Sequence, residues 1–90
     1  MSTRTITLQI VNALGLHARP AAQLAQLAGR AKGGVWIARG AEKINAGSLL
    51  DILTLGCMQG ETITLSADDT ADLDILEQMA GLVRSGFGEP

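Results

Sequence analysis

TITLQIVNALGLHARPAAQLAQLAG, residues 5–29, contains the change of hydrophobic spacing that decides the fold. Its opening residues alternate polar and apolar side chains, which predicts a half-buried strand with one apolar face: Ile6, Leu8 and Ile10. Residues 12–16 include Gly15 and predict a loop. From residue 18 to residue 28 the apolar residues recur at helical spacing: Ala21, Leu24, Ala25 and Ala28. Gly29 is a candidate stop for the helix. Pro20 suits the first turn of that helix, where its missing N–H costs nothing.

The rest of the chain repeats these two spacings. Three stretches predict short strands: GGVWIA (33–38), EKINA (42–46) and GETITLSA (60–67). Two stretches predict helices: SLLDILTLGC (48–57) and DDTADLDILEQMAGLVRSG (68–86). A hairpin is expected around residues 39–41, and Ser48 is a natural N-cap for the second helix. The buried stripe expected for the third helix combines four residues: Leu73, Leu76, Ala80 and Val83.

The resulting order, β-α-β-β-α-β-α, predicts an α+β fold. Strands that alternate in hydrophobicity have one thinly covered face, which favours a mainly antiparallel four-stranded sheet. The three helices then lie together on its other face, giving a two-layer open-faced sandwich. Ninety residues suffice for one small domain, so residues 1–90 are interpreted as a single unit.

Composition excludes several classes of function. A single cysteine, Cys57, allows no intrachain disulfide and no cysteine-based zinc site, and one histidine is too few for an ordinary metal cage. Neither a metal nor a cofactor is therefore expected. The acidic residues Asp68, Asp69, Asp72 and Asp74 lack the calcium-loop pattern and are expected to form a solvated helix start. No apolar run is long enough to span a bilayer and no signal peptide is evident, so a cytoplasmic protein is expected. The protein is also expected to be a monomer.

Charge is distributed unevenly along the chain. Residues 1–41 contain five basic residues and no acid, a charge of +5, whereas residues 42–90 contain nine acids and two basic residues, a charge of −7. An acid-free neighbourhood around His17 favours an anionic ligand or an acidic partner. The basic residues are scattered and lack interleaved aromatics, which argues against a nucleic-acid surface.

His17, the only histidine, lies just before the predicted start of the first helix. The free N–H groups and the positive dipole of a helix N-terminus form an anion site, and Arg19 adds a guanidinium that can grip a phosphate. A neutral imidazole is a nucleophile near pH 7, so a phosphoryl group could be accepted by His17 and stabilised there. The alternative is that His17 only caps the helix or packs its ring.

Two stretches of the chain are similar to one known family. GLHARPAAQLAQLA (15–28) resembles the active-site signature of the histidine-containing phosphocarrier (HPr) family of the bacterial phosphotransferase system. INAGSLLDILTLGCMQGETITLSADD (44–69) resembles that family's region around a regulatory serine. The resemblance covers nearly all of the chain and implies the same sandwich fold.

The resemblance also implies roles for individual residues. His17 would be phosphorylated on Nδ1, and Arg19 would contact the phosphoryl group and the partner proteins. Four residues would support the phosphate site: Asn12, Gly15, Ala18 and Pro20. The donor would be enzyme I, charged by phosphoenolpyruvate, and the acceptors would be the A domains of sugar permeases. The protein would then be a carrier rather than an enzyme.

Ser48 matches the serine that a dedicated kinase or phosphorylase modifies in many family members. Gly47 stands where the family usually has a basic residue, and the carboxylate of Asp51, one turn along, would repel a phosphate on Ser48. The N-cap interpretation is therefore favoured for Ser48 over regulatory phosphorylation.

The second helix has more leucines than one face can bury. The family docks its partners on the outer side of this helix, which implies that Leu49, Leu50 and Leu53 contact enzyme I, with Leu50 the most exposed. The alternative is that the whole helix is buried.

Two other functions are considered. One is a regulatory binding module that responds to its phosphorylation state, as in paralogues that serve nitrogen metabolism. The other is histidine catalysis such as phosphate hydrolysis, which is disfavoured because no acid or second base accompanies His17 at a recognisable spacing. The Gly-rich end of the chain, residues 85–90, is expected to be frayed and without a role.

Overall fold

The computed structural model describes residues 4–90, which form an antiparallel sheet with three α-helices packed on one face. The elements in chain order are β1 (Thr5–Gln9), α1 (Ala18–Ala28), β2 (Val35–Arg39), β3 (Glu42–Asn45), α2 (Leu49–Leu55), β4 (Thr62–Ala67) and α3 (Leu73–Arg84). A 3-10 turn precedes α3 (Thr70–Asp72), and another follows it (Gly86–Gly88). The predicted fold class is confirmed.

The sheet has the strand order β1-β4-β2-β3, and all three of its pairings are antiparallel. The central strand β4 faces β1 on one side and β2 on the other, so that Leu65 pairs with both Ile6 and Ile37. The predicted hairpin joins β2 to β3, with Arg39 paired to Glu42. This topology places the ends of β1 and α2 at one end of the sheet, where the loop that contains His17 lies.

Aliphatic side chains from the inner face of the sheet and from all three helices form the core. Ile63, Leu65 and Cys57 are among the buried residues. Burial of a side chain of this size stabilises the fold by about 1.5–3 kcal/mol. Among residues 4–90, no helix has the length and apolar character needed to cross a membrane.

The start of the third helix differs from its prediction. Residues 70–72 form a 3-10 turn, capped by the side chain of Asp69, and the α-helix begins only at Leu73. This offset turns Leu73 outward, where it is 42% exposed, and Met79 takes its place in the buried stripe with Leu76, Ala80 and Val83. The prediction that Leu73 is buried was therefore wrong.

Asp72 also differs from the expected solvated helix start, because it is buried. Its two carboxylate oxygens accept hydrogen bonds from the backbone N–H groups of Lys32 and Gly33, both at 2.8 Å. These bonds lower the pKa of Asp72, since they stabilise its charged form. Asp72 thus ties the start of α3 to the loop between α1 and β2.

Trp36 lies on the open face of the sheet rather than in the core. Its neighbours along β2, Val35 and Ile37, are buried on the opposite face. The indole Nε1–H donates to Asp68 Oδ1 at 3.1 Å, and the Lys43 ammonium lies 5.1 Å from the ring centroid. The ring is therefore held by polar contacts at the surface.

Candidate functional site

The loop between β1 and α1 is fixed by a close backbone contact at Gly15. Gly15 has a φ of +64°, and a Cβ on this residue would lie 2.4 Å from the carbonyl oxygen of Cys57. The next residue, Leu16, is buried and donates its N–H to the same oxygen at 3.0 Å. Only glycine allows this approach, so Gly15 holds the loop against the segment that follows α2.

His17 is the N-cap residue of α1, but its side chain does not cap the helix. Its backbone is extended (φ −73°, ψ −173°), and its carbonyl oxygen accepts the first helical hydrogen bond, from Ala21 N–H at 3.0 Å. The imidazole makes no capping bond and is 33% exposed. Pro20 is buried in the first turn, as predicted. The capping interpretation of the side chain is therefore wrong.

The imidazole instead contacts Glu89, from the far end of the sequence. Nε2 of His17 lies 2.7 Å from Oε1 of Glu89, and Asn12 Nδ2 donates to the same oxygen at 2.8 Å. The other oxygen, Oε2, accepts a hydrogen bond from Arg19 Nη2. An ionised carboxylate can only accept, so the proton of a neutral His17 ring lies on Nε2. Among the hydrogen bonds formed within residues 4–90, none reaches Nδ1.

Asn12 links the loop before α1 to the carboxylate of Glu89. It is buried, and besides contacting Glu89 its Nδ2 donates to the carbonyl oxygen of Gly15 at 2.8 Å. A single amide group thus orders the loop and holds the carboxylate in place. The structure brings together the residues that the family resemblance implies for the phosphate site: Asn12, Gly15, His17, Ala18, Arg19 and Pro20.

The end of the chain is ordered and forms part of the site, so the prediction of a frayed tail was wrong. Gly86, Phe87 and Gly88 have φ values of +65°, +58° and +72°, which turn the chain back towards α1. The Phe87 side chain is buried in the core, and the backbone oxygen of Pro90 accepts a hydrogen bond from Ala13 N–H at 2.8 Å. Two glycines flanking the only phenylalanine are the sequence signal for this turn.

Glu89 also corrects the expectation that the surroundings of His17 are free of acids. His17 lies in the part of the sequence without acids, but in the folded chain it contacts a carboxylate from the acidic part. That carboxylate belongs to Glu89, 72 positions further along the chain. Glu89 is 12% exposed. Hydrogen bonds from His17, from Asn12 and from Arg19 lower the pKa of Glu89 from an ordinary value of 4.5 to about 2.

This lowered pKa predicts an acid-dependent loss of stability. Because the carboxylate is favoured in the folded state, its contribution is complete above pH 4.5 and disappears as the pH falls towards about 2. We expect Glu89→Gln to be less stable than the wild type at pH 6, and the difference to shrink as the pH falls through that window. Urea unfolding at a series of pH values measures it; a difference that stays constant down to pH 2 would contradict the assignment.

Ser48 is the N-cap of α2, as predicted. Its Oγ accepts a hydrogen bond from Asp51 N–H at 3.2 Å, and Asp51 lies in the first turn, where a negative charge is favoured.

We expect Ser48→Ala to cost about 1 kcal/mol of unfolding free energy, because it leaves an N–H group of the first turn unpaired. Ser48→Asp, which can also cap a helix, is the matched control and is expected to retain most of the stability. Urea unfolding of both variants decides; an alanine variant as stable as the wild type would contradict the capping role.

The leucines of α2 divide between the core and the surface. Ile52 and Leu55 are buried, whereas Leu49, Leu50 and Leu53 are exposed, with Leu50 at 75%. The prediction that Leu50 is the most exposed is confirmed, and the alternative of a fully buried helix is wrong. The helix leads directly to Cys57 and Met58, the segment against which Gly15 packs. The exposed side chain of Met58 therefore adjoins the His17 loop, and the exposed leucines lie on the helix that precedes it.

Comparison with known proteins identifies the family. A family model described as the PTS HPr component phosphorylation site matches residues 4–85. The phosphocarrier protein HPr of Cupriavidus necator is 35% identical over 80 residues, which are 89% of this chain and 90% of that protein. The phosphocarrier protein NPr of Shewanella violacea is 39% identical over 80 residues, 89% of this chain and 88% of that protein.

The structural comparison agrees with the sequence comparison. A crystal structure of HPr from Thermoanaerobacter tengcongensis superimposes with a TM-score of 0.90 at 36% identity and covers 97% of this chain and 98% of that one. The chain belongs to the HPr family of phosphocarriers of the phosphotransferase system.

Proposed function

We propose that this chain accepts a phosphoryl group from enzyme I on Nδ1 of His17 and passes it, in the cytoplasm, to the A domains of sugar permeases. The observation that supports this most directly is the state of the His17 ring. Nε2 is engaged by Glu89, and Nδ1 has no hydrogen-bond partner within residues 4–90. A ring held in this way presents the lone pair of Nδ1 as a nucleophile.

The surroundings of Nδ1 suit a phosphoryl group that is bound for a short time. The first N–H groups of α1 follow His17 directly, and the helix dipole favours a negative charge there. Arg19, whose side chain is about half exposed, can contact a phosphoryl oxygen while remaining accessible to a partner. The group is stabilised without being enclosed, so it can leave for the next acceptor.

The partner surface proposed for enzyme I and the permease domains combines the His17 loop with the exposed leucines of α2: Leu49, Leu50 and Leu53. A partner can bury the apolar side chains in the interface, while the charged groups of the loop orient it relative to His17. Both partners would use this surface in turn, with the chain acting as substrate of the two transfers and not as a catalyst.

The experiment is phosphoryl transfer with purified proteins. The chain is incubated with enzyme I and phosphoenolpyruvate, the label is tested for acid lability, and a permease A domain is then added. Acid-labile label that moves to the A domain supports the proposal. A chain that takes no label from enzyme I would contradict it, and rapid release of inorganic phosphate would instead indicate hydrolysis.

A regulatory module is the second candidate, favoured by the similarity to the relative named phosphocarrier protein NPr. Such a module would accept label from an enzyme I and change its binding to other proteins without passing the label to a permease. Labelling without onward transfer would therefore favour it over the sugar carrier.

Phosphorylation of Ser48 by a kinase of the family is tested separately with ATP and mass spectrometry. Gly47, which is exposed, has no side chain that could pair with a phosphate on Ser48, and the carboxylate of Asp51 would repel one. We therefore expect no mass shift on Ser48. A stoichiometric shift on Ser48 would contradict this expectation and assign it a regulatory role.

A further inference from the structure

The loop that carries His17 is held by the backbone that follows α2, which we term the supporting segment (residues 56–61). Leu16 N–H, one residue before His17, donates to the carbonyl oxygen of Cys57 at 3.0 Å. At the other end of the loop, the supporting segment donates a backbone N–H to the carbonyl oxygen of Ile10 at 2.8 Å. The position of His17 therefore depends on where the supporting segment lies.

Two charged side chains hold the supporting segment in turn. Oε1 of Glu61 accepts a hydrogen bond from Met58 N–H at 2.6 Å. Arg39, at the end of β2, donates from Nη1 to the carbonyl oxygen of Gly56 and to both carboxylate oxygens of Glu61, each at 3.3 Å. One ion pair thus binds the peptide groups on both sides of Cys57.

The bond from Met58 to Glu61 also fixes the direction of the carbonyl group that binds the loop. Cys57 C=O and Met58 N–H belong to one planar peptide group, so the two cannot turn independently. Glu61 accepts from its N–H while Leu16 donates to its oxygen, and each bond polarises the peptide group in favour of the other. Because the acceptor is a carboxylate, the bond is roughly twice as strong as a neutral one.

We propose that Glu61, held in place by Arg39, is a positioning residue for phosphoryl transfer, which sets the location of His17 through the peptide group between residues 57 and 58. This inference rests on the proposed function of His17 as the phosphoryl acceptor. A displacement of about 1 Å at a reacting atom can slow a reaction by about 100-fold, so a group that only orders the loop can affect the rate of transfer.

Glu42 shows which contact matters, because it binds the same guanidinium. Its Oε1 accepts from Arg39 Nη2 at 3.0 Å, but its side chain is 65% exposed and lies across the β2–β3 hairpin from Arg39. Exposed ion pairs of this kind contribute little to stability. Glu61 is 36% exposed and binds the backbone of the supporting segment as well as Arg39. The two carboxylates therefore form a matched pair for experiment.

The first test measures amide hydrogen exchange of Leu16 by NMR in the full chain. Glu61→Ala removes the acceptor of Met58 N–H and frees the peptide group to turn. We therefore expect the Leu16 amide to exchange about tenfold faster than in the wild type, as for the loss of one supporting hydrogen bond. Glu61→Gln keeps an oxygen that can accept from Met58 N–H and is expected to restore most of the protection.

Glu42→Ala is the matched control for this test, and we expect it to change the exchange of Leu16 by less than about twofold. The amide of Leu65, in the central strand β4, serves as the reference for global unfolding. Unchanged exchange of Leu16 in Glu61→Ala would overturn the proposal. Equal acceleration of Leu16 and Leu65 would overturn it too, because it would show only a general loss of stability.

The second test measures labelling by enzyme I and phosphoenolpyruvate at increasing concentrations of the chain. A residue that positions His17 should lower kcat, and we expect a fall of about tenfold in Glu61→Ala with little change in KM. Glu61→Gln should recover most of the rate, and Glu42→Ala should match the wild type. An unchanged kcat, or an effect on KM alone, would overturn the proposal, since the latter would mean that Glu61 contacts enzyme I directly.

The two tests separate this proposal from the function on which it depends. A wild-type chain that takes no label contradicts the proposed function itself. The exchange measurement needs no enzyme I, so it still decides whether Glu61 holds the loop that carries His17.

Discussion

Replacement of His17 by alanine is expected to abolish labelling by enzyme I and phosphoenolpyruvate. The chain has no second imidazole that could accept the group. Removing a nucleophile eliminates the covalent intermediate altogether, whereas removing a supporting residue only slows its formation. The measurement is the acid-labile phosphate bound per chain, and the expected value for His17→Ala is the background of the assay.

The control experiment must show that the His17→Ala chain still folds. The imidazole makes no capping bond, and the first helical hydrogen bond is accepted by the backbone of residue 17, so α1 is expected to form as in the wild type. Circular dichroism and thermal unfolding check this. Acid-labile phosphate on a folded His17→Ala chain would show that another residue accepts the group.

Replacement of Phe87 by alanine is expected to cost about 3–5 kcal/mol of unfolding free energy, because a buried aromatic ring is lost from the core. Both residues carry a Cβ, so the left-handed backbone at this position (φ +58°) is equally unfavourable in the two chains. The difference therefore reports the packing of the ring. Against a typical total of about 5–15 kcal/mol, the loss is large.

Urea unfolding of Phe87→Ala and Phe87→Leu measures this effect. Leucine retains an apolar side chain that partly fills the site, so its cost is expected to be smaller, about 1–2 kcal/mol. We also expect the alanine variant to loosen the contact between Glu89 and His17, since the ring anchors the segment between them. An alanine variant that loses less than about 1 kcal/mol would contradict the anchoring role.

Local signals were sufficient to predict most of the fold. The helix over residues 18–28 was predicted with its observed bounds, because the apolar spacing, Pro20 and the glycine at position 29 all lie within the same stretch. The cap at Ser48 was predicted for the same reason, since its partner is only three residues away. The position of His17 at a helix start also follows from adjacent residues.

The contacts that sequence reasoning missed join distant parts of the chain. The partners of Asp72 are backbone N–H groups 39 and 40 positions away, and no periodicity marks them. Glu89 reaches His17 only because the segment around Phe87 folds back, and a Gly-rich end has no hydrophobic spacing from which this could be read. Leu73 was misplaced because a 3-10 turn delays the start of α3.

Trp36 gives the molecule an internal optical reporter. It is the only tryptophan and the chain has no tyrosine, so fluorescence excited at long wavelength comes from this ring alone. Register places Trp36 beside Ser66, which pairs with Thr5 at the beginning of β1, whereas the His17 loop follows the other end of that strand. The emission should therefore change when the sheet opens and stay constant when His17 is phosphorylated. One signal can then show that a variant has lost its chemistry while keeping its fold.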